Sequence, residues 1–497
     1  MLFTILAIGA VLCLASVWSL VQKRSSFAKS ISVAEPWYPL VGNGLLFVGK
    51  DDTVKFHNMK NMFDRSNKLF RFYLGPKMLF GTSDPDMAQQ ILTDPNCMDK
   101  PYLYDYFMLG QGVFGAKTKV WRGQRKALNP AFNTKILESF MTIFGDITRN
   151  MIQRLETIAK GETINFMEHV SRCTLEMVCA TTLGFNATKL NEIEKLGYYI
   201  ERTFDIAARR MLNFHLQLDC IYRWSKDYRD ERALRGHLES YGMQIYDDAN
   251  DRYAKGLFQS DTTELDENEG FRKPQIFVNQ LFASTSRKFE RDEIIQNIFT
   301  IVGAGTDTSA TAISFTLLQL AMYPEHQQKL YEEVMKIFPE PEPHITMEAL
   351  KKLQYTEMVL NECLRLYPVV PIVVRENTAD ITLCGLRIPK GNNFTVHIYN
   401  IQRRKDIWGP NADSFDPERF SPERSAGRHP FAFLVFSGGS RNCLGIRYAM
   451  ISMKIMMIYL AKNFRFKTNI REEDIRFRFE SMLRIKGGHM IQLEKRL

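Results

Sequence analysis

The eight cysteines of this 497-residue chain include no CxxC pair and no regular spacing, which excludes a disulfide framework or a thiolate zinc cluster as the organising device. Glycine, at 29, and proline, at 19, are too few for a collagen-like or low-complexity chain, and 45% hydrophobic with 24% charged residues is a globular composition. A mean hydropathy of −0.24 leaves no room for several membrane spans. Charge of one sign is also scarce: 65 Lys and Arg against 56 Asp and Glu leave +9. That excess favours an anionic surface or an acidic partner, and no nucleic acid is expected. Internal repeats are absent, and length alone would allow about three domains or one long one.

Long apolar runs are scarce too, with one exception. Residues 1–22 carry no charged side chain and are followed at once by Lys23 and Arg24. At about 1.5 Å per residue, a helix of that length just spans a bilayer core of about 30 Å. The basic residues after it place the rest of the chain in the cytosol. A cleaved signal peptide is the other reading, but the basic n-region is missing. The spacing thus predicts a single-pass anchor at 1–22, a basic, proline-containing hinge at 23–44 stiffened by Pro36 and Pro39, and one body at 45–497. A later apolar run, 298–322, is interrupted by Asp307, Gln319 and two glycines and reads as a central core helix. Short β-like stretches before residue 95 and long amphipathic patterns from 121 onward predict a mainly helical body with a minor β part. The acidic segment 259–270 reads as a surface loop.

Residues 436–445, FSGGSRNCLG, carry one cysteine in a glycine-rich loop directly ahead of a helical stretch. Helix-start N–H groups favour a thiolate there, so Cys443 is placed to ligate a metal. A lone thiolate fits haem iron, because the porphyrin supplies four nitrogens where zinc or an iron–sulfur cluster would need several protein ligands. A buried structural cysteine is the alternative for the residue taken alone.

The pattern F-x-x-G-x-R-x-C-x-G, through Phe436, Gly439, Arg441, Cys443 and Gly445, resembles the haem-thiolate signature of the cytochrome P-450 superfamily. Three further elements follow the same family in order. Trp121 and Arg125 match W-x-x-x-R, whose members with Arg375 and Arg441 contact the haem propionates. Glu362 and Arg365 match E-x-x-R, which Arg419 joins in a buried network. Ala304, Gly305, Asp307, Thr308 and Ser309 match [AG]-G-x-[DE]-T-[TS], the oxygen-activating element. There the resemblance implies that Asp307 and Thr308 are catalytic, passing protons to bound oxygen, and that small residues such as Gly305 leave room beside the cofactor. A glycine-softened core helix whose threonine bonds back to a carbonyl is the plainer reading of that stretch.

The resemblance runs the length of the chain and is greatest to the family-four clan of microsomal enzymes, which includes fatty-acid terminal hydroxylases and many insect members. It implies a triangular, helix-rich fold and haem b bound to Cys443. It also implies oxygen insertion into an apolar substrate: a fatty acid, a hormone-like lipid or a xenobiotic. Ser440 stands where a proline is common, and Ala304 where many clan members carry a glutamate esterified to haem. Haem is therefore expected to be non-covalent apart from the thiolate–iron bond. No nicotinamide- or flavin-binding unit is read in the chain, so the family pattern implies an NADPH-dependent cytochrome reductase, with cytochrome b5 as a second donor. A basic face including Arg122, Lys126, Arg447 and Lys454 would receive it at the endoplasmic reticulum membrane. A haem-thiolate hydroperoxide isomerase and a non-catalytic haem carrier or sensor share the cysteine loop and remain the alternatives.

Overall fold

Pro324 ends one helix and begins the next, because proline lacks the N–H that a helix interior needs yet fits a first turn. The structure, a computed structural model, describes residue 19 and residues 25–66, 68–158, 161–184, 190–256, 276–284, 286–480 and 482–496. The helices that frame the site are α1 Asp52–Asp64, α2 Pro85–Thr93, α3 Thr118–Leu128, α4 Met141–Ile158, α5 Phe166–Leu183, α6 Leu190–Leu212, α7 Lys226–Ala254, α8 Arg291–Met322, α9 Gln354–Leu366 and α10 Ile446–Asn463. The strands are short: β1 Phe70–Leu74, β2 Lys77–Thr82, β3 Thr163–Asn165, β4 Ile372–Glu376, β5 Ile381–Leu383, β6 Leu386–Ile388, β7 Asn393–His397, β8 Phe464–Lys467, β9 Phe477–Phe479, β10 Leu483–Ile485 and β11 Met490–Lys495. The fold is mainly helical with a minor β part.

One sheet has the order β1-β2-β7-β4, with β2 and β7 parallel and the other pairs antiparallel. Among the described residues the remaining strands form β3-β11-β8, β9-β10 and β5-β6. Helix α8 runs through the core. Glu290 and Glu293 satisfy its first N–H groups in a capping box, and the second half of the helix, from Ser309 to Ala321, is buried. Its glycines serve close packing. A Cβ at Gly303 would come within 2.6 Å of Ile200 on α6, and one at Gly305 within 3.0 Å of Val178 on α5.

Apart from residue 19, the proposed anchor at 1–22 lies outside the described residues, as does the acidic segment 259–270. Among the described residues no helix is long and apolar enough to cross a membrane. From residue 25 the chain is fastened to the body. Asn43, fully buried, donates to the carbonyls of Ala34 and Pro36 at 2.7 Å and accepts from the Tyr73 N–H of β1 at 2.9 Å.

Candidate active site

The cysteine loop is held shut by its own backbone. The Cys443 N–H donates to the Phe436 carbonyl at 2.9 Å, and the Ser437 N–H to Leu434 at 2.7 Å. Gly439 has φ +68°, and a Cβ there would lie 1.9 Å from the carbonyl oxygen of Leu92 on α2. Only glycine lets the loop turn so close to that helix. The exposed side chain of Cys443 lies on the wall of an internal cavity beside Phe436 and Gly445, three residues before α10 begins. Burial of the surrounding loop pushes the thiol up; the Gly445 backbone N–H and the Arg125 charge pull it back.

Behind the loop stands a buried ion network. Arg365 on α9 donates to both oxygens of Glu362 at 2.6 and 2.7 Å, and neither side chain is exposed. Arg419 Nε lies 3.3 Å from Glu362. Arg365 also donates to the carbonyls of Gln402 and Ala412 at 2.8 and 2.7 Å. Gln402 in turn accepts from the Leu434 N–H at 2.8 Å, which connects the network to the start of the cysteine loop.

Beside the loop, cations converge. Among the described residues Arg375, on β4 and 1% exposed, donates only to Val374 O at 3.0 Å and Ser437 Oγ at 3.2 Å. Arg441 donates to Ala116 O at 2.6 Å and stacks 4.3 Å from the Trp121 ring, while its buried Nε and Nη1 have no hydrogen-bond partner among the described residues. Lys100 joins them on the cavity wall. Burial, then Arg375 and Arg441, hold its ammonium well below the usual range. Arg441 is brought down to about 9 by burial and by Arg375; Asp99 offsets part of this, although one of its oxygens already accepts two bonds from Thr118. Buried guanidinium donors this crowded fit a ligand that brings carboxylates, and haem, with two propionates, is such a ligand. Arg125 on α3 reaches the loop itself, donating to the backbone and side-chain oxygens of Asn442 at 2.8 and 2.9 Å. Trp121 backs Arg441 rather than reaching the cavity.

On α8, Ala304, Gly305, Thr308 and Ala312 line the cavity, and aromatic rings of Phe107, Phe114 and Phe204 pack against one another on its wall. The Thr308 hydroxyl donates back to Ala304 O at 2.5 Å. Asp307 is not on this wall. It sits in the neighbouring helical row with Thr311, and both bond to Arg484 of β10. Asp307 and Thr308 are thus adjacent in sequence but face different surroundings.

Three features escaped sequence reasoning. Lys100 and Arg484 carry no motif, and their positions become meaningful only beside residues far away in the chain. Gly110, Gly112 and Gly115 also have GxGxxG spacing. The segment follows a 3-10 turn, not a strand, and is pinned to α8 by Gln296 and Asn297, which accept from the N–H groups of Gln111 and Val113 at 2.7 and 2.9 Å. It belongs to the cavity wall, not to a dinucleotide site. One expectation is corrected: Lys454 is buried and donates to Glu357 at 2.7 Å and Leu350 O at 3.0 Å, so it offers nothing to a partner. Arg122, Lys126 and Arg447 are exposed.

A family model described as Cytochrome P450 matches residues 33–493. Cytochrome P450 4c21 of Blattella germanica is 29% identical over 466 residues, covering 92% of each chain. Cytochrome P450 4V2 of Homo sapiens is 29% identical over 496 residues, covering 97% of this chain and 94% of that one. Probable cytochrome P450 313a4 of Drosophila melanogaster is 29% identical over 501 residues, covering 97% of both.

Proposed function

The chain belongs to the cytochrome P450 family, and on that premise we propose that it is a membrane-associated monooxygenase that places one oxygen atom of O2 into a C–H bond of an apolar substrate: a fatty acid, a hormone-like lipid or a xenobiotic. Members are haem-thiolate oxidoreductases, so haem b and a thiolate iron ligand come with the family. When bound, the haem supplies oxygen activation. The chain's own residues do the rest. Cys443 ligates the iron, Arg375, Arg441 and Lys100 neutralise the propionates, and Arg125 braces the loop through Asn442. Thr308 lines the cavity and would act as the last proton donor by turning its hydroxyl from the Ala304 carbonyl that it bonds in this structure. The apolar and aromatic wall excludes water and binds substrate by burial.

The observation that carries this reading is the meeting, in one cavity, of Cys443, under-paired cations and Thr308. Electrons come from an NADPH-dependent reductase, with cytochrome b5 as a second donor, docking near exposed Arg122, Lys126 and Arg447. Membrane association has its own support in the body. Beyond Phe214, whose ring would meet a Cβ at either Gly44 or Gly75, the surface exposes Leu218, Ile221 and, at 89%, Trp224. That site would rest on the endoplasmic reticulum membrane beside the anchor.

The deciding measurement is the difference spectrum of the reduced protein with carbon monoxide. Wild type is expected to give the red-shifted Soret band of a thiolate ligand, and Cys443→Ala to lose it; a mutant that keeps the band places the ligand elsewhere. A reconstituted system then separates the alternatives. An isomerase would turn over a hydroperoxide without reductase, and a carrier would bind haem yet consume no O2.

A further inference from the structure

Three phenylalanines from three parts of the chain meet on the cavity wall. Phe107 ends the 3-10 turn Tyr102–Phe107, Phe114 belongs to the loop that follows, and Phe204 comes from α6. The rings of Phe114 and Phe204 lie within 15° of parallel, with centroids 6.5 Å apart. Phe107 stands edge-on to both, at 5.5 and 5.4 Å and at 77° and 85°. The three form a herringbone, in which the positive edge of one ring meets the negative face of the next.

The cluster is fixed before any ligand arrives. The loop that carries Phe114 rests on α8, where Asn297 and Gln296 accept from the N–H groups of Val113 and Gln111. A Cβ at Gly112 would come within 2.9 Å of the Gln296 carbonyl, so the loop sits as close to the helix as backbone allows. Gly303 does the same for Phe204: a Cβ there would lie 3.1 Å from its ring. The α8 hydroxyls on this wall are engaged within their own helix, Thr300 donating to Gln296 O at 2.7 Å and Thr308 to Ala304 O at 2.5 Å. Lys100 covers the Tyr104 and Phe114 rings at 4.0 and 4.7 Å, but its charge stands with Arg375 and Arg441 at the propionate end.

We propose that Phe107, Phe114 and Phe204 form a subsite for an aromatic ring of the substrate, and that the preferred substrate is an uncharged aryl compound rather than a free fatty acid. The proposal rests on the monooxygenase reading above and narrows its substrate. A flat ring entering the cavity extends the herringbone, face to one phenylalanine and edge to another. A saturated ring of the same size buries as much apolar area without that pairing. A fatty acid presenting its terminal carbon to the haem would carry its carboxylate away from the propionate-side cations and bury it among rings, without a charged partner.

The test reads binding to the full-length holoenzyme by the spin-state shift of the Soret band and, independently of the iron, by calorimetry, with hexylbenzene, hexylcyclohexane and dodecanoate as probes. Hexylbenzene should bind about fivefold tighter than hexylcyclohexane, although the saturated ring is the more apolar of the two. Dodecanoate should bind more weakly than either. Phe114→Leu and Phe204→Leu should each weaken hexylbenzene more than hexylcyclohexane, until the two bind alike, with the carbon monoxide band at full amplitude. Gly303→Ala, which keeps all three rings but pushes Phe204 aside, should lower the preference in the same direction. Equal affinity of the two ring probes for wild type, or a preference that survives both leucine variants, overturns the subsite. Dodecanoate as the tightest probe overturns the discrimination against acids. If the ring preference holds but hexylbenzene gives no oxygenated product with an NADPH-dependent reductase, the monooxygenase reading falls and the subsite stands.

Discussion

Glu362 shows what one buried charge does at the residue scale. It accepts two bonds from Arg365, accepts the Asp416 N–H at 2.9 Å, and lies 3.3 Å from Arg419, with no surface of its own exposed. Burial raises its carboxyl and Arg365 opposes that, so the charge persists only because its partners stay. Glu362→Ala would leave two guanidinium groups buried without their anion, at a cost of about 3–5 kcal/mol. The loss should exceed that of Glu362→Gln, which keeps shape and one acceptor, as read by urea unfolding and by haem retained on gel filtration. Haem should loosen too, because Arg365 also holds Gln402, which holds Leu434 at the entry to the cysteine loop. Sequence spacing revealed Glu362 and Arg365 as helix neighbours. The arrival of Arg419 from 57 positions away is tertiary.

At the scale of elements, the helices were legible wherever local chemistry decides them. Pro324 and Pro368 bound α8 and α9 as their missing N–H groups require, and the 436–445 loop precedes α10 as its glycines and cysteine predict. Placement of charges was less legible, because a lysine or arginine on an amphipathic stretch looks the same whether it meets water or another helix. Lys454 reads as surface and is buried against Glu357; Arg484, on a three-residue strand, reads as nothing and holds Asp307. Asp307 and Thr308 read as one unit, yet a helix turns adjacent residues about 100° apart, so only one of them lines the cavity. The loop makes an element-level prediction. Gly439→Ala must force a left-handed residue and a Cβ into the Leu92 carbonyl, so the loop or α2 has to move. The expected outcome is a folded helical protein, by circular dichroism, that incorporates less than about a tenth of the wild-type haem, since the thiolate is displaced with the loop. Gly445→Ala, whose Cβ would approach only to 4.0 Å of the Cys443 sulfur, should be far milder.

At the scale of the whole molecule, the question is which part of the chain the haem site depends on. Among the described residues, the side chains that line the cavity come from Lys100 onward, and the segment from residue 25 is tied to β1 through Asn43. The body therefore carries its own core, and the family match begins only at residue 33. The apolar run at 1–22 contributes length and hydrophobicity suited to a bilayer, while the body adds exposed Leu218, Ile221 and Trp224. Deleting residues 1–22 should leave the reduced carbon monoxide band at full amplitude and should weaken, without abolishing, sedimentation with phospholipid vesicles. Adding Leu218→Ser, Ile221→Ser and Trp224→Ser to the truncated chain should remove the residual binding, because burying those side chains in lipid is worth about 1.5–3 kcal/mol each. A truncated chain that loses haem would make the amino-terminal run part of the body's own core, and one that binds vesicles equally well with and without the three serines would locate the second contact elsewhere on the surface.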